Sequence, residues 1–185
     1  LLGVAPFAMI CGVAMVASGI APVAAVLMSI FVFAGASMLA ASQFLSAGEP
    51  VTMLLLAVFF INLRFTMYSA SLRLHLAPLA WRWRLLVAYL VADNPYAVSM
   101  ARFADHPQDR HKLAFYLGVS VPVWLCWQLA LAAGVLIGTR LPPAWKLEFA
   151  APLAFLAMSV PLLRDRAMTA AALASAFTVI AAHGL

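Results

Sequence analysis

The chain has 185 residues, of which 66% are hydrophobic and only 9% are charged. A soluble domain is typically about 25% charged, so these charges are too few to cover a water-exposed surface. The composition therefore excludes a soluble globular domain and favours a chain that is solvated by lipid. The net charge of +5 does not indicate nucleic-acid binding, because the basic residues fall in short loops, where they set orientation or meet lipid headgroups.

The length and pattern indicate an all-α fold, a polytopic helical membrane protein. At about 20 residues per crossing, residues 1–185 form one transmembrane domain of six to seven segments, with no separate soluble domain. The apolar runs are continuous rather than alternating, which favours helices over strands. Because the first residue is Leu1 rather than Met, we expect native residues before it; the chain also stops abruptly after Leu185.

Hydropathy divides the chain into seven segments, some of them short or interrupted. In chain order they are 1–19, 22–47, 51–72, 85–101, 113–138, 147–163 and 167–182. The second segment would measure about 39 Å as one straight helix, against a bilayer core of about 30 Å. Since Gly35 lies near its middle, we predict that this segment is broken or sharply bent there.

The seven-segment pattern leaves the orientation in the membrane undecided. It distributes the loop Lys and Arg residues evenly, so the positive-inside rule does not favour either face. One face collects Arg102, Arg110, Lys112, Arg164 and Arg166, and the other collects Arg73, Arg82, Arg84, Arg140 and Lys146.

A stretch of small residues in the second segment is the first candidate binding element. Its sequence, from Val32 to Ser37, places Gly35, Ala36 and Ser37 together. Small residues let a substrate or another backbone approach closely, and a break at glycine exposes free amides. The alternative is tight helix packing without a ligand.

The third and fourth segments each carry a charge near the middle. An Arg or Asp at the bilayer centre costs roughly 2.5–3.5 kcal/mol on insertion scales. Arg64 and Asp93 have opposite charge at similar depth, so we predict that they approach within salt-bridge distance or share one polar cavity. The alternative is a purely structural ion pair with a snorkelling arginine.

Other polar residues lie close in sequence to both charged residues. Asn62 lies two residues before Arg64, about 200° around an unbroken helix, so both line one cavity only if that helix is unwound. Asn94 and Pro95 follow Asp93. Pro95 is predicted to remove a helical hydrogen bond and free the carbonyl of residue 91. An intramembrane carboxylate is by default a functional group, so Asp93 is a candidate to carry a proton or bind an amine.

Enzymatic and metal-binding functions find no support in the motifs. The four histidines are scattered, the two cysteines are isolated, and no nucleophile, metal-ligand or phosphate-loop pattern occurs. We therefore expect no catalytic residues, no metal and no cofactor. A Gly134-x-x-x-Gly138 pattern suits close helix approach, although such patterns are common by chance in apolar sequence.

The motifs, taken together and in order, resemble the AzlC family, the large subunits of bacterial branched-chain amino acid exporters. Three polar groups of the family pattern are replaced, by Met38, Phe65 and Asn94, which puts the substrate choice in doubt but not the fold. The matching residues are Pro6-Phe7, Val32 to Ser37, Asn62-Leu63-Arg64, Tyr68 to Leu72, and Asp93 with Tyr96-Ala97.

The resemblance implies a multi-pass protein of the bacterial inner membrane that exports branched-chain or similar small amino acids with a small AzlD-like membrane subunit. The alternative is a non-transporting membrane scaffold or partner subunit, whose buried polar residues only fix helix packing. The substrate-binding candidates are Gly35, Ala36, Ser37, Asn62, Arg64, Asp93 and Asn94.

Overall fold

The structure is a computed structural model that describes residues 3–76 and 79–140, together with Ala170, Ala174 and Thr178. The ordered elements in this part are all helices, which confirms the all-α class there. They are α1 (Val4–Ala17), α2 (Pro22–Val32), α3 (Gly35–Ser46), α4 (Val51–Leu76), α5 (Trp81–Tyr89), α6 (Asp93–Asp105) and α7 (Lys112–Gly138). The segments predicted at 147–163 and 167–182 lie outside the described residues.

Two of the described helices are long and apolar enough to cross a membrane. They are α4, with 26 residues, and α7, with 27 residues. At 1.5 Å per residue each exceeds the roughly 30 Å of a bilayer core. We call the end of the bundle that holds Ser18, Glu49 and Thr139 the upper end. The end that holds Leu76, Trp81 and Lys112 is the lower end.

Helix α1 packs against the second half of α7 through glycines. A Cβ on Gly134 would lie 2.1 Å from the carbonyl oxygen of Met9, and one on Gly12 would lie 2.4 Å from that of Leu131. The two backbones therefore touch. Phe7 contacts Trp127, and both residues come earlier in their helices than the contact between Met9 and Gly134. The two helices therefore run parallel. The Gly134-x-x-x-Gly138 pattern thus makes a real helix contact.

Helices α2 and α3 form the upper hairpin. Pro22 opens α2 at a position where a missing N–H is tolerated. The helix ends at Phe33, whose φ of 36° is left-handed, and α3 begins two residues later. The far end of α3 returns to the upper end, where Ser42 and Ser46 line a small cavity with Ala14 and Ser18 of α1.

The predicted break near Gly35 is therefore confirmed, but the predicted crossing by residues 22–47 is wrong. The chain enters from the upper end, reverses at Phe33 and Ala34, and leaves by the same end. Hydropathy reports that a segment is apolar, and it does not report the direction in which the segment continues.

Helices α5 and α6 form the lower hairpin. Arg64 pairs with Asp93, and His75 packs on Phe103, so α6 runs parallel to α4. Since α5 begins soon after the lower end of α4, it must run the opposite way. The chain reverses at Leu90 to Ala92, and the prediction of one segment over residues 85–101 is wrong.

The predicted role of Pro95 is corrected by the same break. Asp93 is the first residue of α6, so Pro95 is its third. The amides of a first turn have no intrahelical partner in any case, and the first bond of this helix runs from Tyr96 N to Ala92 O. The reversal, rather than the proline, interrupts the helix.

The two halves of the described chain have the same design in opposite orientation. Each consists of a helical hairpin followed by one long helix, α2–α4 from the upper end and α5–α7 from the lower end. The two hairpin tips meet inside the bundle, where the ring of Phe33 lies 6.5 Å from that of Tyr89. Inverted repeats of this kind are typical of secondary transporters, with binding sites at the interface of the repeats.

Candidate functional site

Helix α4 connects the tips of both hairpins. Ser37 Oγ donates a 2.8 Å hydrogen bond to Asn62 Oδ1, which joins the upper hairpin to α4. Two residues later, Arg64 reaches Asp93 of the lower hairpin. Because α4 is continuous here, Asn62 and Arg64 face different directions. The helix needs no unwinding, since each residue serves a different tip.

The predicted pairing of Arg64 with Asp93 is confirmed. Arg64 Nη1 lies 3.1 Å from Asp93 Oδ2, and the two side chains are 32% and 49% exposed. Arg64 Nε is buried and has no hydrogen-bond partner among the described residues. The pair is therefore partly exposed, and its guanidinium has one donor without a partner, which favours an additional acceptor.

Tyr68 is a member of this site that the sequence analysis did not select. Its hydroxyl donates a 2.9 Å hydrogen bond to Asp93 Oδ1, so both carboxylate oxygens have partners. Its ring stacks on Tyr96, with centroids 4.2 Å apart and planes 16° apart. The available signal was spacing, because residues four apart lie on the same face of a helix, and Tyr68 is four residues after Arg64.

The small residues at the start of α3 have two different surroundings. A Cβ on Gly35 would lie 2.4 Å from Trp127 Cη2 and 2.7 Å from Phe7 Cε1. Close packing therefore accounts for the glycine, as the alternative interpretation held. The amides of Gly35, Ala36 and Ser37 occupy the first turn of α3, where backbone donors lack intrahelical partners.

Tyr89 holds the two tips together. Its hydroxyl donates to the carbonyl oxygen of Ile30, at the end of α2, and accepts a 2.9 Å hydrogen bond from Trp124 Nε1. Helix α7 secures the same end of α2, because Ser29 Oγ donates to Gln128 Oε1 at 2.9 Å. The upper hairpin tip is thus bound to α4, to α7 and to the lower hairpin.

Asn94 is the one candidate residue that the structure places elsewhere. It lines a separate groove of about 590 Å³ between α1, α6 and α7, together with Val98, Gly118 and Pro122. Neighbouring residues of a helix point about 100° apart, so Asn94 turns away from α4 while Asp93 faces it. The other candidates, Gly35, Ala36, Ser37, Asn62, Arg64 and Asp93, lie on the hairpin tips and the segment of α4 between them.

A family model described as AzlC protein matches residues 1–141, which include both hairpins and the Arg64–Asp93 pair. No curated protein matches the chain, and no solved structure matches it.

Proposed function

The chain belongs to the AzlC family, and from this membership and the geometry of the tips we propose that it is a transporter subunit that exports branched-chain or similar small amino acids. The observation that supports this proposal most strongly is the half-exposed Arg64–Asp93 pair where two hairpins from opposite ends meet. Both side chains are partly exposed, as a site that exchanges its internal ion pair for a substrate requires.

The chemistry of the pair matches that of a zwitterion. An amino acid brings one carboxylate and one ammonium group, and Arg64 and Asp93 offer one partner to each. The guanidinium presents fixed donors that bind a carboxylate two at a time. Substrate binding therefore exchanges the internal ion pair for two ion pairs with the substrate.

Transport follows from movement of the hairpins. Each tip is bound to α4, the upper one through Asn62 and the lower one through Asp93. Displacement of one hairpin opens the site to its own end while the other hairpin keeps it closed. Asp93, which loses Arg64 when the substrate arrives, is the candidate to carry a coupling proton. The process is secondary transport and requires no covalent chemistry.

The proposed setting is the bacterial inner membrane, with a small AzlD-like partner subunit. Because residues 22–47 and 85–101 form hairpins, the predicted six to seven crossings fall to at most five: α1, α4, α7 and the segments predicted at 147–163 and 167–182. The 18-residue apolar window of α4 has no buried residue, which leaves a large apolar face for lipid and for such a partner. The alternative function is a non-transporting scaffold, in which the same polar contacts only hold helices in register.

Counterflow distinguishes these two functions. The full chain is reconstituted in proteoliposomes, with and without a co-expressed small subunit, and loaded with unlabelled leucine or valine. Accumulation of labelled leucine that depends on the internal amino acid supports the transporter. Absence of counterflow in both preparations, from protein with a monodisperse size-exclusion profile, supports the scaffold.

Replacement of Tyr68 by phenylalanine tests the orientation of Asp93. The variant keeps the ring stacked on Tyr96 and removes only the hydrogen bond to the carboxylate. Hydrogen bonds to charged groups contribute about 1.5–3 kcal/mol, so KM for leucine in counterflow should rise roughly tenfold or more. Tyr96→Phe, which removes a hydroxyl from the same stack, serves as the control. Equal KM values in both variants would exclude this role for Tyr68.

A further inference from the structure

The basic residues of the described chain are concentrated at the lower end. Both loops that close this end are basic, the one between α4 and α5 and the one between α6 and α7. Among the described positions, the upper end has one basic residue, Arg140, and the acidic Glu49. The lower end has Arg73, Arg82, Arg84, Arg102, Arg110 and Lys112.

The lower hairpin explains why counting loop charges along the sequence gave a tie. A single crossing over residues 85–101 would place the two basic loops on opposite faces. Because α5 and α6 reverse within the bundle, both loops lie at the same end. Three basic residues, Lys146, Arg164 and Arg166, are outside the described part of the chain. Even if all three lay at the upper end, the lower end would still have more basic residues.

We infer that the lower end is the cytoplasmic face and that it rests on anionic lipid headgroups. Lys and Arg in short loops are retained on the cytoplasmic side, and the inner leaflet presents anionic lipids that attract them. Trp81 and Trp83 are 72% and 37% exposed at the same end. Exposed tryptophans next to arginines are typical of the headgroup boundary.

The charges at this end are available for lipid. Arg73, Arg82 and Arg110 are exposed and form no ion pair within the described ranges, whereas Arg102 lies 3.4 Å from Asp109. Two acidic residues accompany the six basic ones, so the end keeps a net positive charge. The orientation also assigns the hairpins: the lower one opens toward the cytoplasm and the upper one toward the outside. The inference concerns the membrane face and stands whether or not the chain transports amino acids.

Cysteine labelling in intact cells tests the orientation. Cys11 and Cys126 are replaced by alanine, and single cysteines are introduced as Glu49→Cys at the upper end or Gln108→Cys at the lower end, both exposed positions. A membrane-impermeant maleimide should label the upper position in intact cells and the lower one only after permeabilisation. The reverse pattern, or labelling of both positions in intact cells, would overturn the orientation.

The lipid contact has its own test in purified protein. Vesicles of phosphatidylglycerol should raise the Tm relative to phosphatidylcholine, and 0.5 M salt should reduce the shift, since the contact is electrostatic. The Arg73→Gln/Arg82→Gln/Arg110→Gln variant should lose the shift, while Arg140→Gln should keep it. A shift of equal size in the triple variant and in wild type would overturn the lipid contact.

Discussion

Replacement of Asp93 by asparagine is expected to abolish counterflow of leucine and valine while the protein still folds and assembles. Asparagine has the same shape and keeps an oxygen that accepts from Tyr68, so the tip of the lower hairpin stays in place. The negative charge that receives the substrate ammonium is lost. Because the pair is partly exposed, its loss is comparable to that of a hydrogen bond to a charged group, about 1.5–3 kcal/mol, which corresponds to a flux decrease of roughly 10- to 100-fold.

A second aspartate of the same chain provides the control. Asp109 also pairs with an arginine, Arg102, but in a loop at the lower end. The backbone N–H of His111 lowers the pKa of Asp109, so this carboxylate is charged at neutral pH. Asp109→Asn should leave counterflow unchanged. Wild-type flux in a well-folded Asp93→Asn protein would remove Asp93 from the mechanism, and an Asp93→Asn protein that fails to fold would support the scaffold.

Replacement of Gly134 by alanine is expected to cause the largest loss of stability. The added Cβ would lie 2.1 Å from the carbonyl oxygen of Met9 and 2.8 Å from its Cα. These are backbone atoms of α1, so the clash is relieved only if the two helices separate. Overpacking typically costs about 1–3 kcal/mol, and here it falls on the contact between α1 and α7. Thermal unfolding in detergent measures the decrease in Tm.

The same substitution at Gly118 is the matched control. Gly118 lies on the same helix, and a Cβ there would meet no atom within 4 Å. Alanine is favoured over glycine in helices by up to about 1 kcal/mol, so Gly118→Ala should leave the Tm unchanged or raise it. If both variants unfolded at the same temperature, the close contact between α1 and α7 would not exist in the protein.

The elements of the site that were predictable from sequence are those with a large energetic penalty. Arg64 and Asp93 stand out because a lone charge in an apolar segment is costly, and opposite signs at similar depth indicate a pair. Tyr68 gives no such signal, since one tyrosine in an apolar helix has many possible partners. Its role depends on the orientation of α6 relative to α4, and that orientation is a property of the fold.

The reversals at Phe33 and at Leu90 to Ala92 could not be predicted from the sequence, for a related reason. Gly35 identified the position of the first break, because a segment too long for one crossing contained a stretch of small residues. Neither hydropathy nor glycine content distinguishes a kink from a hairpin, since both expose the same residue types. The equal number of basic residues on the two predicted faces was an indirect sign of the lower hairpin. The equality disappears once both basic loops lie at the lower end.

The central claim, that an amino acid replaces the internal ion pair at the hairpin tips, is tested most directly by a structure of the full chain with leucine bound. The predicted result is a ligand between the tips, its carboxylate on the guanidinium of Arg64 and its ammonium on Asp93, with the contact between these two side chains opened. An intact Arg64–Asp93 pair with leucine bound elsewhere, for instance in the groove beside Asn94, would contradict the claim.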